Sequence, residues 1–354
     1  MKMIPSHPDF LTIIHCITYN HASYIEETMN GFCMQQTTFP FLTIICDDAS
    51  TDGEQIVIKR YLIEHFDDSS NSGHQEWEDD EAFYIYTPHR RNPNCFFLVI
   101  LLKVNYYSQN KEKSLLYEEW MRNAKYVALC EGDDYWIAPN KLQKQVEVLE
   151  NNLNVGLVFH PVHTYLQEKK SMLHGWGSPT DFEQCLIANT IPTLSTCFRK
   201  ELQDGYIRDI GLSNGWLMGD YPLWLYFLAH SKSLCLEERM GVYRELEQSA
   251  SHFKDMERTI KFSMSTYQVR VFFASKYGRS DLFREFKINE LCALFNISLL
   301  FDKRIPLDHD VLMLYKGLGR NTIIMILKYL LYMSHWGRKV LMYRHERQKM
   351  RLMN

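Results

Sequence analysis

Three acidic side chains fall within four positions in Glu131-Gly132-Asp133-Asp134, after the apolar run YVALC and before the helix-like segment NKLQKQVEVLENN. Carboxylates this close raise one another's pKa unless a cation offsets their charge. Hard divalent ions such as Mg²⁺ and Mn²⁺ take oxygen ligands, often one or two carboxylates plus the phosphate oxygens of a substrate. The pattern therefore points to a cation and a diphosphate held together. A competing reading makes Asp133 and Asp134 residues that end a strand and cap the helix near Pro139.

Two more polar clusters follow apolar runs: Thr18-Tyr19-Asn20-His21 after LTIIHCI, and Asp47-Asp48-Ala49-Ser50 after FLTIIC. Asp and Asn there could serve as turn formers and caps. In an open parallel α/β sheet, however, ligands bind outside the carboxyl ends of the strands, and three such clusters on successive units share one rim. Asp220, in GDYPLW, stands just before Pro222 and a helical pattern, as a helix N-cap or a general base would. Neither G-x-G-x-x-G after the first strand nor G-x-x-x-x-G-K-[ST] occurs, so phosphate charge must be met by the metal or by basic side chains. Arg90, Arg91, Arg199 and Arg244 are the candidates.

Strand and helix patterns alternate around these clusters. Leu11 to Asn20 reads as a buried parallel strand, and SYIEETMNGFCMQQ as a helix with Ser23 and Glu26 at capping-box spacing. Phe41 to Ser50 and TDGEQIVIKRYLIEH repeat the unit, with Thr51 and Glu54 as a second capping box. Ile58, Tyr61, Leu62 and His65 form its helical face. Two such units predict a parallel α/β sheet. Asp67 to Ala82 reads as a solvated loop, FYIYTP as a third strand, and residues 89–123 are left open between helix and strand. Tyr126 to Cys130 is a strand, followed by a helix with Leu142, Val146 and Leu149 on one stripe. GLVFHPVHTYL and TLSTCFRK are strand candidates, LWLYFLAHS a helix, and SLCLEERMGVYREL a strand pair or one bent strand. Long helical patterns begin at Phe253, which places a boundary near Ser251.

With 354 residues and 46% hydrophobic content, the chain can bury one large domain plus a smaller appendage. Lys+Arg 39 against Asp+Glu 43 excludes the positive excess of a nucleic-acid binder. Residues 316–354 differ, with nine Lys/Arg against the single acid Glu346. That tail could lie on an anionic membrane or pack as a helix with a solvated basic face. Nine widely spaced cysteines without a C-x-x-C pair argue for reduced core residues rather than disulfides or zinc. MKMIPSHPDF lacks a secretory h-region, so a cytoplasmic location is expected, with the tail able to meet the inner face of the cell membrane. The window Ile323 to Met333 is too short to span a bilayer.

Taken in order, ITYNHASYIEETMNGFCMQQ, IICDDASTDG, EGDDYW with PNKLQKQV, and GDYPLW with GVYRE resemble glycosyltransferase family 2. These are inverting, nucleotide-sugar-dependent enzymes with a GT-A fold. The resemblance covers about residues 10 to 250. It implies a catalytic domain over residues 1–251, with a nucleotide-sugar half to about 150 and an acceptor half after it, and a helical region over 252–354. By the same resemblance Thr18, Tyr19 and Asn20 line the nucleotide pocket and Asp48, with Asp47 beside it, contacts base and ribose. Asp133 and Asp134 hold the sugar diphosphate through Mg²⁺ or Mn²⁺, with Glu131 in the first position of the family's D-x-D motif. Asp220 is the catalytic base, and Tyr243 and Arg244 lie near the segment closing over the diphosphate. The implied reaction is transfer of a sugar from a nucleotide-sugar donor, UDP-linked foremost, to the hydroxyl of a glycan or lipid-linked glycan in surface polysaccharide synthesis. Two alternatives differ in class: a non-catalytic GT-A-like binding module, and a sugar nucleotidyltransferase, which would want a Gly-rich basic loop that this chain lacks.

Overall fold

The computed structural model describes residues 9–66, 73–211, 215–246 and 255–301. In chain order the elements are β1 (Thr12–Thr18), α1 (Ile25–Cys33), β2 (Phe41–Asp47), α2 (Glu54–His65), β3 (Gln75–Glu78), β4 (Ala82–Pro88), β5 (Cys95–Leu102), α3 (Glu118–Met121), β6 (Tyr126–Leu129), β7 (Tyr135–Trp136) and α4 (Lys141–Asn151). Then come β8 (Val155–Phe159), β9 (His163–Leu166), β10 (Ser171–Leu173), α5 (Phe182–Ile187), β11 (Cys197–Arg199), α6 (Lys200–Asp209), α7 (Asp220–His230), β12 (Lys232–Cys235), β13 (Gly241–Glu245), α8 (Met256–Lys276) and α9 (Phe283–Leu300).

The chain divides into two compact units. The first comprises Met1–Phe182, Thr190–Leu212 and Tyr226–Glu245. Within it lies a nine-stranded sheet in the order β12-β8-β11-β6-β1-β2-β5-β4-β3. Its centre, β6-β1-β2-β5, is parallel, as the strand-helix alternation predicts. All seven residues of β2 are buried, as expected of a strand covered on both faces. The flanks make the sheet mixed around its parallel centre, as a mainly parallel GT-A sheet would be: β4 and β3 return antiparallel beside β5, and β11 runs antiparallel between β6 and β8. A second sheet, β10-β9-β13-β7, is small and mixed.

Several local expectations are corrected. Neither capping box forms: α1 starts after Tyr24 and α2 after Gly53, with no side-chain cap on either. Glu54 turns inward instead and is fully buried. The acidic stretch read as a loop carries β3, where Trp77 stacks on Tyr84 at 5.1 Å. The open stretch 89–123 contains β5, whose apolar residues fill a central strand rather than a helix. GLVFHPVHTYL splits at Pro161 into β8 and β9, which belong to different sheets. Likewise SLCLEERMGVYREL is a strand pair divided between the two sheets. Of TLSTCFRK only Cys197–Arg199 is strand. In α2 the predicted face is buried at Ile58, Tyr61 and Leu62, whereas His65 is exposed and stacks on Tyr61. The α4 stripe of Leu142, Val146 and Leu149 is buried as predicted.

The second unit comprises Glu183–Asn189, Ser213–Leu225 and Leu246–Asn354. It draws two segments from before residue 251, so Asp220 belongs to this unit and not to the one holding Asp134. Within it, α8 and α9 confirm the long helical patterns, and the Tyr221 hydroxyl donates to the Cys185 carbonyl at 2.8 Å. The boundary near Ser251, the window at 323–333 and the basic tail lie outside the described residues. Among the described residues, no helix is long and apolar enough to cross a membrane. All nine cysteines are free thiols, six buried and three half-buried, in keeping with the reduced-core expectation.

Lys141, the first residue of α4, is completely buried. Its ammonium lies 3.7 Å from the Trp136 ring centroid and donates to Gln145 Oε1 at 2.8 Å. Burial pushes its pKa down to about 7, against attraction from Cys197 and Cys130. The unfolded chain then holds a proton that the folded chain has released, so stability rises as pH climbs from 7 towards 10. The limiting slope is about 1.4 kcal/mol per pH unit. The stability gap between wild type and Lys141→Met, measured by urea unfolding at pH 6, 7, 8 and 9, is expected to stay constant below pH 7 and shift in favour of wild type above it. Parallel curves throughout would show that the amine stays protonated.

Candidate functional site

The in-register pairing of β1 with β2, Thr18 opposite Asp47, and of β1 with β6, His15 opposite Leu129, puts the three carboxyl ends on one edge. Main-chain bonds tie the loops beyond them: Asp48 N–H donates to Thr18 O at 3.0 Å and Gly132 N–H to Ile17 O at 3.2 Å. The three polar clusters seen in the sequence therefore meet, all within the first unit.

Glu131, Asp133 and Asp134 form the acidic group, with one carboxylate oxygen of each within 4.8 Å of the others. Glu131 is exposed, Asp133 half-buried and Asp134 buried. Burial first, then the charges of Asp133 and Asp134's other neighbour Glu131, push the Asp134 carboxyl well above its usual range. The Arg244 N–H, donating to Asp134 Oδ1 at 2.8 Å, and the Arg244 charge oppose this. An all-oxygen set with its innermost member short of cationic compensation suits a hard divalent ion. Asp133 and Asp134 do not cap α4, because β7 intervenes.

Helix α1 supports this loop from behind. Thr28 Oγ1 lies 2.9 Å from Gly132 O and 2.7 Å from Asp134 O, so its single proton serves both carbonyls. A Cβ on Gly31 would come 2.8 Å from the Trp136 main-chain N and 2.9 Å from its O. Glycine at 31 is what lets the helix lie directly on β7. Phe32 then meets the Trp136 ring edge-on at 5.1 Å.

Of the four candidate arginines, only Arg244 reaches the acidic group. Arg90 bonds the closing carbonyls of α2, including Phe66 O at 2.7 Å, and Arg199 bonds Val155 O and Leu149 O, so both are structural. Arg91 is exposed and placed at the far end of β4's turn. Arg244 is 5% exposed, with Nε donating to Asp133 O and Nη1 to Gln167 Oε1, both at 2.8 Å. Its Nη2 pairs with Glu27, and the guanidinium faces the rings of Tyr24, Tyr135 and Tyr165. Tyr243 beside it meets Trp176 edge-on at 6.2 Å.

On the nucleotide-loop side, Tyr19 is 44% exposed and Asn20 is left-handed at φ 58°. Asn20 N–H donates to Ser50 Oγ, and Asn20 Oδ1 accepts from Thr51 N–H, both at 2.8 Å. The Asp48 carboxylate accepts from Tyr106 N–H at 2.7 Å, Tyr107 N–H at 3.2 Å and Lys113 Nζ at 3.0 Å. It thereby pins the segment after β5, while keeping lone pairs for a further donor. Asp47 accepts from Ser50 N–H and Gln55, while its Oδ2 is buried without a hydrogen-bond partner. Burial raises the Asp47 pKa against those two bonds. Asp220 opens α7 in the second unit, its Oδ1 accepting from Tyr221 N–H at 2.7 Å. Sequence reasoning missed Glu27, Thr28, Lys113 and Gln167, which carry no periodic signal, and gave Glu54 the wrong role.

The large mixed sheet flanked by helices is the fold of solved nucleotide-sugar glycosyltransferases. A mannosyltransferase, PcManGT from Pyrobaculum calidifontis in complex with GDP-Man and Mn²⁺, superposes with a TM-score of 0.50 at 14% identity, over 96% of this chain and 85% of that one. TarS 1–349 of S. aureus in complex with UDP gives 0.52 at 14% identity, over 97% and 92%. These likenesses establish the α/β fold class. In sequence, uncharacterized proteins of Mycobacterium bovis and Mycobacterium tuberculosis are 32% identical over 189 residues. That match takes in 52% of this chain and 46% of each relative, so it spans about half of their length. No protein-family model matches.

Proposed function

We propose that the chain is an inverting glycosyltransferase of family 2 type that moves a sugar from a nucleoside-diphosphate sugar, UDP-linked foremost, to an acceptor hydroxyl. The carrying observation is the acidic group at the carboxyl end of β6, held between α1 and Arg244, on a fold shared with enzymes solved with UDP and with GDP-Man and Mn²⁺. Asp133 and Asp134 would hold Mg²⁺ or Mn²⁺, with exposed Glu131 at its edge. When bound, such an ion supplies positive charge against the diphosphate. Thr18, Tyr19, Asn20, Asp47 and Asp48 form the rim that receives the nucleoside. Arg244 holds the Asp133 and Asp134 main chain in place and adds fixed positive charge where a leaving diphosphate gathers negative charge. Asp220 takes the proton from the acceptor hydroxyl as that oxygen attacks the anomeric carbon from the face opposite the leaving group. Acceptors in this reading are glycans or lipid-linked glycans of surface polysaccharide synthesis. The basic tail would bring the cytoplasmic enzyme to the inner face of the membrane.

A thermal-shift screen of UDP-, GDP-, dTDP- and ADP-sugars with and without Mn²⁺ tests the reading. One donor class is expected to raise the melting temperature only when Mn²⁺ is present, and to release its nucleoside diphosphate on incubation. A screen in which no donor shifts the transition would sink it. A donor that binds but is never turned over would favour the binding module.

A further inference from the structure

Glu54 is a completely buried carboxylate to which the proposed reaction gives no task. It gathers three donors from two other loops: the Thr18 hydroxyl, the His21 main-chain N–H at 2.8 Å and the Ser50 hydroxyl at 2.8 Å. Burial raises the Glu54 pKa, and the three donors oppose it by stabilising the ionised form, which can accept from all of them. Since the Thr18 proton goes to Glu54, Thr18 Oγ1 accepts from His21 Nδ1 at 3.1 Å. That bond fixes the imidazole with its Nδ1 protonated and turns Nε2 towards Asp133, 3.8 Å from Oδ2.

The acidic motif is fitted onto this relay. A Cβ on Gly132 would come 2.0 Å from Thr18 Oγ1, 2.5 Å from Thr18 Cβ and 3.0 Å from His21 Nδ1. Glycine between Glu131 and Asp133 is thus required by the close approach of Thr18, whose Cβ leaves no room in any rotamer, while Glu54 sets where the Thr18 hydroxyl lies against the turn. Thr18 Oγ1 could not swing away without giving up its bond to a buried charge, which costs more than a bond between neutral groups.

We propose that Glu54 is a positioning residue for the donor site, locking Thr18 and His21 into the surface against which the Gly132-Asp133 turn is set. The inference rests on the nucleotide-sugar reading above, and concerns how that site is held rather than what it binds. A purely structural Glu54 would affect stability alone. A positioning Glu54 affects nucleotide affinity through Thr18.

Calorimetric titration of the full chain with UDP, GDP, dTDP and ADP in the presence of Mn²⁺, with melting temperatures recorded beside, tests it. Glutamine keeps the volume at 54, but its NH₂ cannot accept the His21 N–H or a hydroxyl proton. Glu54→Gln and Thr18→Val are each expected to weaken nucleotide binding about tenfold. Thr18→Ser, which keeps the hydroxyl, should bind more tightly than Thr18→Val, and the Glu54→Gln/Thr18→Val double variant should be no weaker than the worse single variant. Wild-type affinity in a folded Glu54→Gln would overturn the proposal, as would Thr18→Ser binding as poorly as Thr18→Val. If Glu54→Gln does not fold, the two Thr18 variants decide alone. A wild-type chain that binds none of the four nucleotides removes the donor-site reading itself, and this inference with it.

Discussion

Asp134→Asn is expected to abolish Mn²⁺-dependent release of nucleoside diphosphate, by about two to three orders of magnitude, while leaving the metal-free chain at least as stable as wild type. The two effects have one cause. Asp134 is 2% exposed and stands among carboxylates, so its charge is unfavourable unless a cation is present. Asparagine keeps an oxygen to accept the Arg244 N–H, so β13 and the acidic loop hold together. What is lost is the charge that a divalent ion requires. Release assays with and without Mn²⁺, paired with unfolding in chelator, read the two quantities separately. Undiminished Mn²⁺-dependent release would return Asp134 to a strand-end role. A large loss of chelator-state stability would show that the Asp134 charge is already compensated within the chain.

Asp220→Asn is expected to leave nucleotide affinity unchanged and to lower transfer to the acceptor by about 10²- to 10⁴-fold, the usual contribution of a general base. Asp220 is the first residue of α7, where a carboxylate also favours the helix start. The asparagine oxygen can still accept the Tyr221 N–H, so the helix start survives while proton acceptance does not. The decisive comparison is nucleotide affinity by calorimetry against sugar transfer from the donor identified in the screen. Transfer within about threefold of wild type would leave Asp220 as a helix-start residue only. Weakened nucleotide binding would instead place it among the donor contacts.

The parts legible in the sequence are those fixed by local pattern. Apolar β-branched runs gave β1 and β2, the stripe in α4 gave its buried face, and polar clusters after apolar runs marked the edge where Thr18, Asp47 and Glu131 gather. Failures fall where a distant partner overrides the local rule. Glu54 has capping-box spacing from Thr51, yet a buried site with Thr18 and Ser50 offers its carboxylate three donors instead of one. Residues 95–102 suit a helix or a strand until β2 and β4 stand on either side. Arg90 and Arg199 looked no different from Arg244, and only tertiary contacts separate arginines that tie carbonyls from the one beside the acids. Pro161 divides one apolar run between two sheets, which hydrophobicity alone cannot announce.

The attachment of the segment after β5 bears on redesign. Asp48 grips it through the main-chain N–H groups of Tyr106 and Tyr107, contacts that any non-proline residue could offer, and through the side chains of Lys113 at its carboxylate and Asn105 at its carbonyl. Helix α1, by contrast, touches β7 so closely at Gly31 that one added methyl would displace main chain. The protein thus offers an exchangeable module and a fixed chassis side by side. Swapping residues 107–112 while sparing Asp48, Asn105, Tyr106 and Lys113 would change the surface beside the candidate site without disturbing the machinery beneath it.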